Sequence, residues 1–158
     1  MNPLQPLQAL LAQTERERDE AWGAAQRAAD AMGQAQAQAE QLVAYRREYE
    51  QRWSAQFRTE GRIELVHCYR GFMDRLTHAV DQQQRIAQQA ALHHDMARRT
   101  LADHEVRVAS VRKLIERRRQ ELHASAERME QKQTDEHGAR MAWGTTTGIA
   151  VSGLPRAA

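Results

Sequence analysis

The strongest constraint on the fold of this chain is a run of 66 residues, from Phe72 to His137, that contains neither glycine nor proline. The three prolines of the 158-residue sequence lie near its ends, at positions 3, 6 and 155, and the single asparagine is at position 2. Sheets and compact α/β domains need frequent turns, which these residue types provide. The sequence therefore predicts an all-α protein of long helices, and an aromatic content of 5% predicts a narrow buried seam rather than a large core.

Apolar residues recur every seven positions in the second half of the chain, which is typical of a coiled coil. The ten positions at this spacing, nine of them apolar, are Val66, Met73, Val80, Ala87, His94, Leu101, Val108, Ile115, Leu122 and Met129. The first half follows a similar spacing of three and four, but its centre, between residues 21 and 39, is rich in alanine. An alanine seam allows two helix axes to approach each other closely.

Gly61 is the best candidate for a chain reversal, because glycine can adopt a positive φ and end a helix. A reversal there pairs residues whose numbers sum to about 121, such as Tyr49 with Phe72. The fold class predicted is all-α, with two long helices in an antiparallel coiled-coil hairpin over residues 1–140. Helix one is expected at about 4–58, the turn at 59–61, helix two at about 62–137, and a flexible, disordered tail at 141–158.

The same pairing leaves the end of helix two without a partner inside the hairpin. Residue 117 would already face residue 4, so residues 118–137 would overhang by roughly 30 Å at ~1.5 Å per residue. Leu122 and Met129 continue the apolar row along this overhang. An unpaired apolar row predicts contact with a partner protein, and the alternative is a frayed helix end.

Catalytic and ligand-binding motifs are not apparent in the sequence. The glycines form no phosphate-binding loop, no base accompanies Cys68, and His93, His94 and Asp95 project about 100° apart on a helix. We therefore predict no enzyme activity, no cofactor and no metal. The lone cysteine suggests a reducing compartment, and the longest uncharged stretch, 141–155, is too short to span a membrane. The prediction is a cytoplasmic protein without direct membrane insertion.

Aromatic residues gather next to the predicted turn. Tyr45, Tyr49, Trp53 and Phe57 repeat every four residues, and the pairing rule places Tyr69 and Phe72 opposite them. Large side chains here could fill the splayed end of the coil, or they could form an exposed binding surface, since Tyr, Trp and Arg dominate such surfaces. The sequence leaves both interpretations open.

Three segments of the chain resemble the FliJ family of flagellar export proteins. Residues 42–49 are similar to the family signature in its first helix, residues 69–83 to the start of its second helix, and residues 128–140 to its C-terminal motif. Their order and spacing agree with the family, and together they span about residues 1–140. The resemblance implies an antiparallel two-helix coil that belongs to the flagellar type III export apparatus.

The resemblance also implies partners: the hexameric export ATPase, the cytoplasmic domain of the membrane export gate, and export chaperones that are recycled. Family positions that bind the gate correspond here to Gln38, Leu42, Tyr45, Tyr49, Phe72, Leu76 and Ala79. Gln83 matches a further such position, where histidine also occurs in the family. The residues expected to contact the ATPase ring are Leu122, Arg128, Met129, Lys132, Asp135, Glu136 and Arg140.

Three other functions remain open from the sequence. The chain could be the equivalent stalk of a virulence-type III secretion system, or a purely structural coiled-coil adaptor. An arginine-rich coil could also bind nucleic acid, but a net charge of +2 argues against that.

Overall fold

The computed structural model describes residues 2–149, including the side chains of residues 2–145. The described part consists of two α-helices, α1 (Gln5–Thr59) and α2 (Ile63–Ile149), which confirms the predicted fold class. Residues 150–158 of the predicted tail lie outside the described residues. By their contacts the helices divide into two units, one formed by residues 12–109 and the other by residues 1–11 with 110–158.

The first turn of α1 is held by Asn2. Its side-chain oxygen accepts a hydrogen bond from the Leu4 amide at 3.0 Å, and its carbonyl accepts one from the Gln5 amide at 3.0 Å. Asparagine followed by proline is a favourable helix start, because proline cannot donate a hydrogen bond and the first turn has no acceptor for it.

The chain reverses at residues 60–62, one residue later than the predicted turn. The last turn of α1 is closed by the Thr59 hydroxyl and the Glu60 amide, which both donate to the Gln56 carbonyl at 2.9 Å. Gly61 lies in this chain reversal, as the sequence predicts, but it does not use the positive φ that glycine can adopt, since no described residue has one. Helix α1 therefore ends without a residue in the left-handed backbone conformation.

The predicted end of helix two near residue 137 is also wrong, because α2 continues through Gly138 to Ile149. Gly138 costs the helix about 1 kcal/mol relative to alanine, and the strong helix formers directly after it, Ala139 to Ala142, offset that cost. Thr145 keeps its hydroxyl satisfied inside the helix by donating to the carbonyls of Met141 and Ala142 at 3.2 and 2.9 Å.

In the unit of residues 12–109, α1 and α2 lie antiparallel. Three contacts between the helices define the register. The ring centroids of Tyr49 and Phe72 are 4.4 Å apart, and the side-chain amide of Gln83 donates a hydrogen bond to the side-chain oxygen of Gln38 at 3.1 Å. Further from the turn, Nδ1 of His104 lies 3.9 Å from a carboxylate oxygen of Glu17. Each pair of residue numbers sums to 121, which is the register that the sequence predicts.

The seam of this unit joins small residues on α1 to larger ones on α2. Every buried residue that α1 contributes is alanine: Ala21, Ala25, Ala28, Ala35 and Ala39. The buried residues of α2 in this unit are Leu76, Val80, Ala87 and Val108. Among the described side chains no polar or charged residue is buried, so the buried part of the seam is apolar.

The alanine seam makes a testable prediction about packing. Ala35 packs in a cluster with Ala39 and Ala87, so Ala35→Leu should force the helices apart and lower the free energy of unfolding by about 1–3 kcal/mol. Chemical unfolding followed by circular dichroism measures the change. The matched control is Ala31→Leu at an exposed position one turn earlier, and equal effects of the two changes would contradict the packing argument.

The other unit contains the first turns of α1 and the second part of α2. Val111 and Ile115 are buried in it, and Gln8 and Leu11 of α1 line a groove together with four residues of α2: Arg112, Ile115, Glu116 and Arg119. After residue 119 the side chains of α2 are exposed up to residue 145, except for Leu122 and Ala124, which are half-buried. This stretch, residues 120–145, is the exposed end of α2.

Candidate partner-binding surfaces

Four aromatic rings form a continuous ladder along α1 in the unit of residues 12–109. The centroids of Tyr45 and Tyr49 are 6.0 Å apart, those of Tyr49 and Trp53 5.8 Å, and those of Trp53 and Phe57 5.4 Å. The ladder exists because side chains four residues apart are neighbours on a helix surface. Tilted ring pairs at these distances add about 0.5–1.5 kcal/mol each to the energy of burial.

Two rings of α2 complete the aromatic cluster. Phe72 lies against Tyr49 at 4.4 Å, and Tyr69 lies 5.6 Å from Trp53 and 5.3 Å from Phe57. These contacts cross between the helices, so the cluster joins α1 to α2 just before the turn. The packing interpretation therefore holds for these rings.

The cluster is only partly buried. Tyr45 is 48% exposed, and the other five rings are half-buried. Half-buried rings leave an apolar surface in contact with water, which is a common property of binding sites. The rings therefore fill the end of the helix pair and also leave apolar surface exposed, with Tyr45 the most exposed of the six rings.

The predicted gate-binding residues lie along one side of this unit. Gln38 and Tyr45 are exposed, whereas Leu42, Tyr49, Phe72 and Ala79 are half-buried. We call this surface, formed by Gln38, Leu42, Tyr45, Tyr49, Phe72 and Ala79, the Tyr45 face. Leu76 belongs to the same predicted set, but it is buried between the helices beneath the face.

The hydrogen bond between Gln83 and Gln38 closes the Tyr45 face at the end away from the turn. At the opposite end, Arg52 donates to Glu48 at 2.7 Å on the exposed surface of α1. Exposed pairs of this kind contribute little to stability. The face thus consists of apolar and neutral polar side chains, with charge at its border.

Sequence reasoning missed one side chain beside this face. Ile86 is seven residues after Ala79 and fourteen after Phe72, and it is 45% exposed. The spacing of seven from Phe72 through Ala79 could have indicated it from the sequence alone.

The residues predicted to contact the ATPase ring lie on the exposed end of α2. Leu122 is half-buried and Met129 is exposed, so the apolar row continues into solvent. The charged members, all exposed, are Arg128, Lys132, Asp135, Glu136 and Arg140. Within the described residues these five make no ion pair.

The chemistry available elsewhere is limited. In the part of the chain that the structure describes, no three His, Cys, Asp or Glu side chains come together as metal ligands. Cys68 is exposed near the turn. Neither helix, over its described length, has a stretch long and apolar enough to cross a lipid bilayer.

Two antiparallel helices with an apolar seam and a half-exposed aromatic face define a coiled-coil-like helical protein. The sequence model described as Flagellar FliJ protein matches residues 3–146, which is nearly the whole chain. The chain therefore belongs to the FliJ family, and it is a flagellar export-associated protein. No curated protein and no solved structure gives a significant match to it.

Proposed function

We propose that the protein is a stalk and escort component of the flagellar type III export apparatus that couples the hexameric export ATPase to the export gate. It has no catalytic role in this proposal. It works in the cytoplasm, peripherally associated with the inner-membrane export apparatus, and it also recycles export chaperones, a role that rests on family membership alone. The 1–140 region acts as the binding module, and no role is given to the residues after it.

The gate is proposed to bind the Tyr45 face. The observation that carries this step is the half-exposed aromatic cluster, in which Tyr45 offers a ring to a partner while Tyr49 and Phe72 hold the two helices together. Leu76 supports the face from below, and its contribution to gate binding is indirect. The test is direct binding of the purified chain to the cytoplasmic domain of the gate.

The ATPase ring is proposed to hold the exposed end of α2. This end has charges of both signs and an apolar row with no covering helix, so a surrounding partner could contact it from all sides. A central-stalk role requires a helix that extends past its own partner, which is how α2 continues after residue 119 in its unit. The corresponding test is whether the chain changes the ATPase rate of the hexamer.

Removal of residues 120–158 should separate the two activities. We expect binding to the ATPase to weaken at least about tenfold, since the proposed contacts are deleted, while gate binding stays within about twofold. Co-sedimentation with the hexamer and a gate-binding assay measure these effects. The truncated chain keeps Arg112, Ile115, Glu116 and Arg119, the residues of α2 that line the groove with α1.

The control for the truncation is the full-length Tyr45→Ala variant, which should show the reverse pattern: weaker gate binding and unchanged ATPase binding. Undiminished ATPase binding of the truncated chain would show that the exposed end of α2 is not the ATPase site.

A further inference from the structure

The middle of the unit formed by residues 12–109 has a belt without charge. Residues 31–39 of α1 and residues 86–94 of α2 contain no Asp, Glu, Lys or Arg, although these residues make up 28% of the chain. The two segments are neighbours, because Ala35 and Ala39 pack against Ala87. We call this the neutral belt.

Ile86 lies where the neutral belt meets the Tyr45 face. It follows Phe72 and Ala79 at intervals of seven residues, so the three side chains lie in one row along α2. Gln83, one turn before Ile86, donates its hydrogen bond to Gln38 on this same side of the helix pair. The next position in the row is His93, so Ile86 is the last apolar residue of the row.

The exposure of Ile86 is not required by the fold. Ile86 is 45% exposed, while the adjacent Ala87 is buried and supplies the packing against α1. A glutamine at position 86 would suit a solvated helix surface in a belt that already contains many glutamines. Ile86 instead continues the row of Phe72 and Ala79, so its exposed apolar surface adds to the Tyr45 face, and contiguous apolar patches of this kind mark interaction sites.

We propose that Ile86 extends the Tyr45 face and contacts the same segment of the export gate that the face binds, an inference that rests on the proposed gate function. The occupant is an apolar polypeptide segment. The neutral belt suits it because no charged side chain within the belt must lose its water when an apolar segment covers Ile86.

The distance between Phe72 and Ile86 along α2 sets the minimum length of the partner segment. Phe72 and Ile86 are separated by about 21 Å at ~1.5 Å per residue. A partner segment that contacts both must span about six extended residues or about fourteen helical ones. It carries apolar side chains at both ends and no charge facing the belt.

The experiment compares charge substitutions on two sides of α2 in the full-length chain. Ile86→Glu places a carboxylate at the proposed contact, and the matched control Leu92→Glu places one in the same belt at a side chain that is 66% exposed. Leu92 lies six residues after Ile86, so it points about 120° away from the row, away from α1. Ile86→Gln is a neutral third variant that removes only apolar surface.

Binding to the gate's cytoplasmic domain is measured by calorimetry, and folding by the thermal midpoint from circular dichroism. Ile86→Glu should weaken binding about tenfold or more, Ile86→Gln should weaken it less, and Leu92→Glu should leave it within about twofold. All three should melt close to the wild type, because both positions are exposed and glutamate and glutamine favour helix.

The possible outcomes distinguish the role of Ile86 from the gate-binding function on which it rests. Wild-type affinity of Ile86→Glu, in an assay where Tyr45→Ala binds weakly, would overturn the role of Ile86 and leave the gate function standing. Equal losses for Ile86→Glu and Leu92→Glu would also overturn it, since the effect would then follow charge rather than position. Absence of wild-type binding would overturn both.

Discussion

Replacing Tyr45 and Tyr49 together with alanine is expected to weaken binding of the gate's cytoplasmic domain by about 2 kcal/mol or more, roughly 30-fold in Kd. Tyr45 offers the most exposed ring of the aromatic cluster, and Tyr49 forms the half-buried base against Phe72. Removing both rings takes away a continuous apolar surface that the gate domain would otherwise cover. Calorimetric titration of the gate domain measures the loss.

The single variants should divide the effect between binding and folding. Tyr45→Ala should weaken binding with little change in stability, because its ring is 48% exposed and its one described ring contact is with the neighbouring Tyr49. Tyr49→Ala should also lower stability by about 1 kcal/mol or more, since its contacts with Trp53 and Phe72 are lost.

Trp22→Ala is the matched control for the tyrosine variants, because Trp22 is also an exposed aromatic residue of α1 but lies far along the helix from the cluster. It should bind the gate normally. If the double variant instead lost its helical circular dichroism signal, the tyrosines would be core residues and the assignment of the face would be wrong.

The largest effect on stability is expected for Val108→Glu, which should lower the free energy of unfolding by about 3 kcal/mol or more. Val108 is 2% exposed, and no polar or charged residue is buried among the described side chains, so a carboxylate at this position would be forced into an apolar environment. A loss of this size corresponds to a fall in the thermal midpoint of roughly 10 °C for a chain of this length. Thermal unfolding followed by circular dichroism measures it.

Val106→Glu is the matched control for this substitution. Val106 has the same side chain two residues earlier, but it is 65% exposed, so its replacement should change stability by no more than about 0.5 kcal/mol. Similar midpoints for the two variants would show that α2 is not held against α1 by this seam.

Much of the fold could be predicted from the sequence, because in a coiled coil the spacing of apolar residues and one turn determine which residues meet. The expected pairing of Tyr49 with Phe72 is observed, and the helix bounds around the turn differ from the prediction by one residue. The end of α2 could not be predicted, since Gly138 was given the weight of a helix stop that the neighbouring alanines, arginine and methionine overcome.

The candidate site was harder to predict than the fold. The position of the aromatic cluster follows from the spacing of four between its residues, but the burial of Leu76 beneath the face depends on the angle at which each side chain leaves its helix. A family motif that is carried over residue by residue does not show which residues are exposed to a partner and which, like Leu76, are buried beneath them. Ile86 was missed for the opposite reason, because it lies on the flank of the seam and no family motif includes it.

The constant register has a consequence for how the length of such a chain can change. From Tyr49 back to Gln38 is 11 residues, and from Phe72 to Gln83 is also 11. From Gln38 back to Glu17 is 21 residues, and from Gln83 to His104 is again 21. An insertion in one helix between these contacts would therefore shift every later pair unless the facing stretch of the other helix gained the same number. Tolerated insertions and deletions in this unit should come as matched pairs on both helices, and pairs of seven residues keep the apolar row in place without local unwinding or overwinding of the coil.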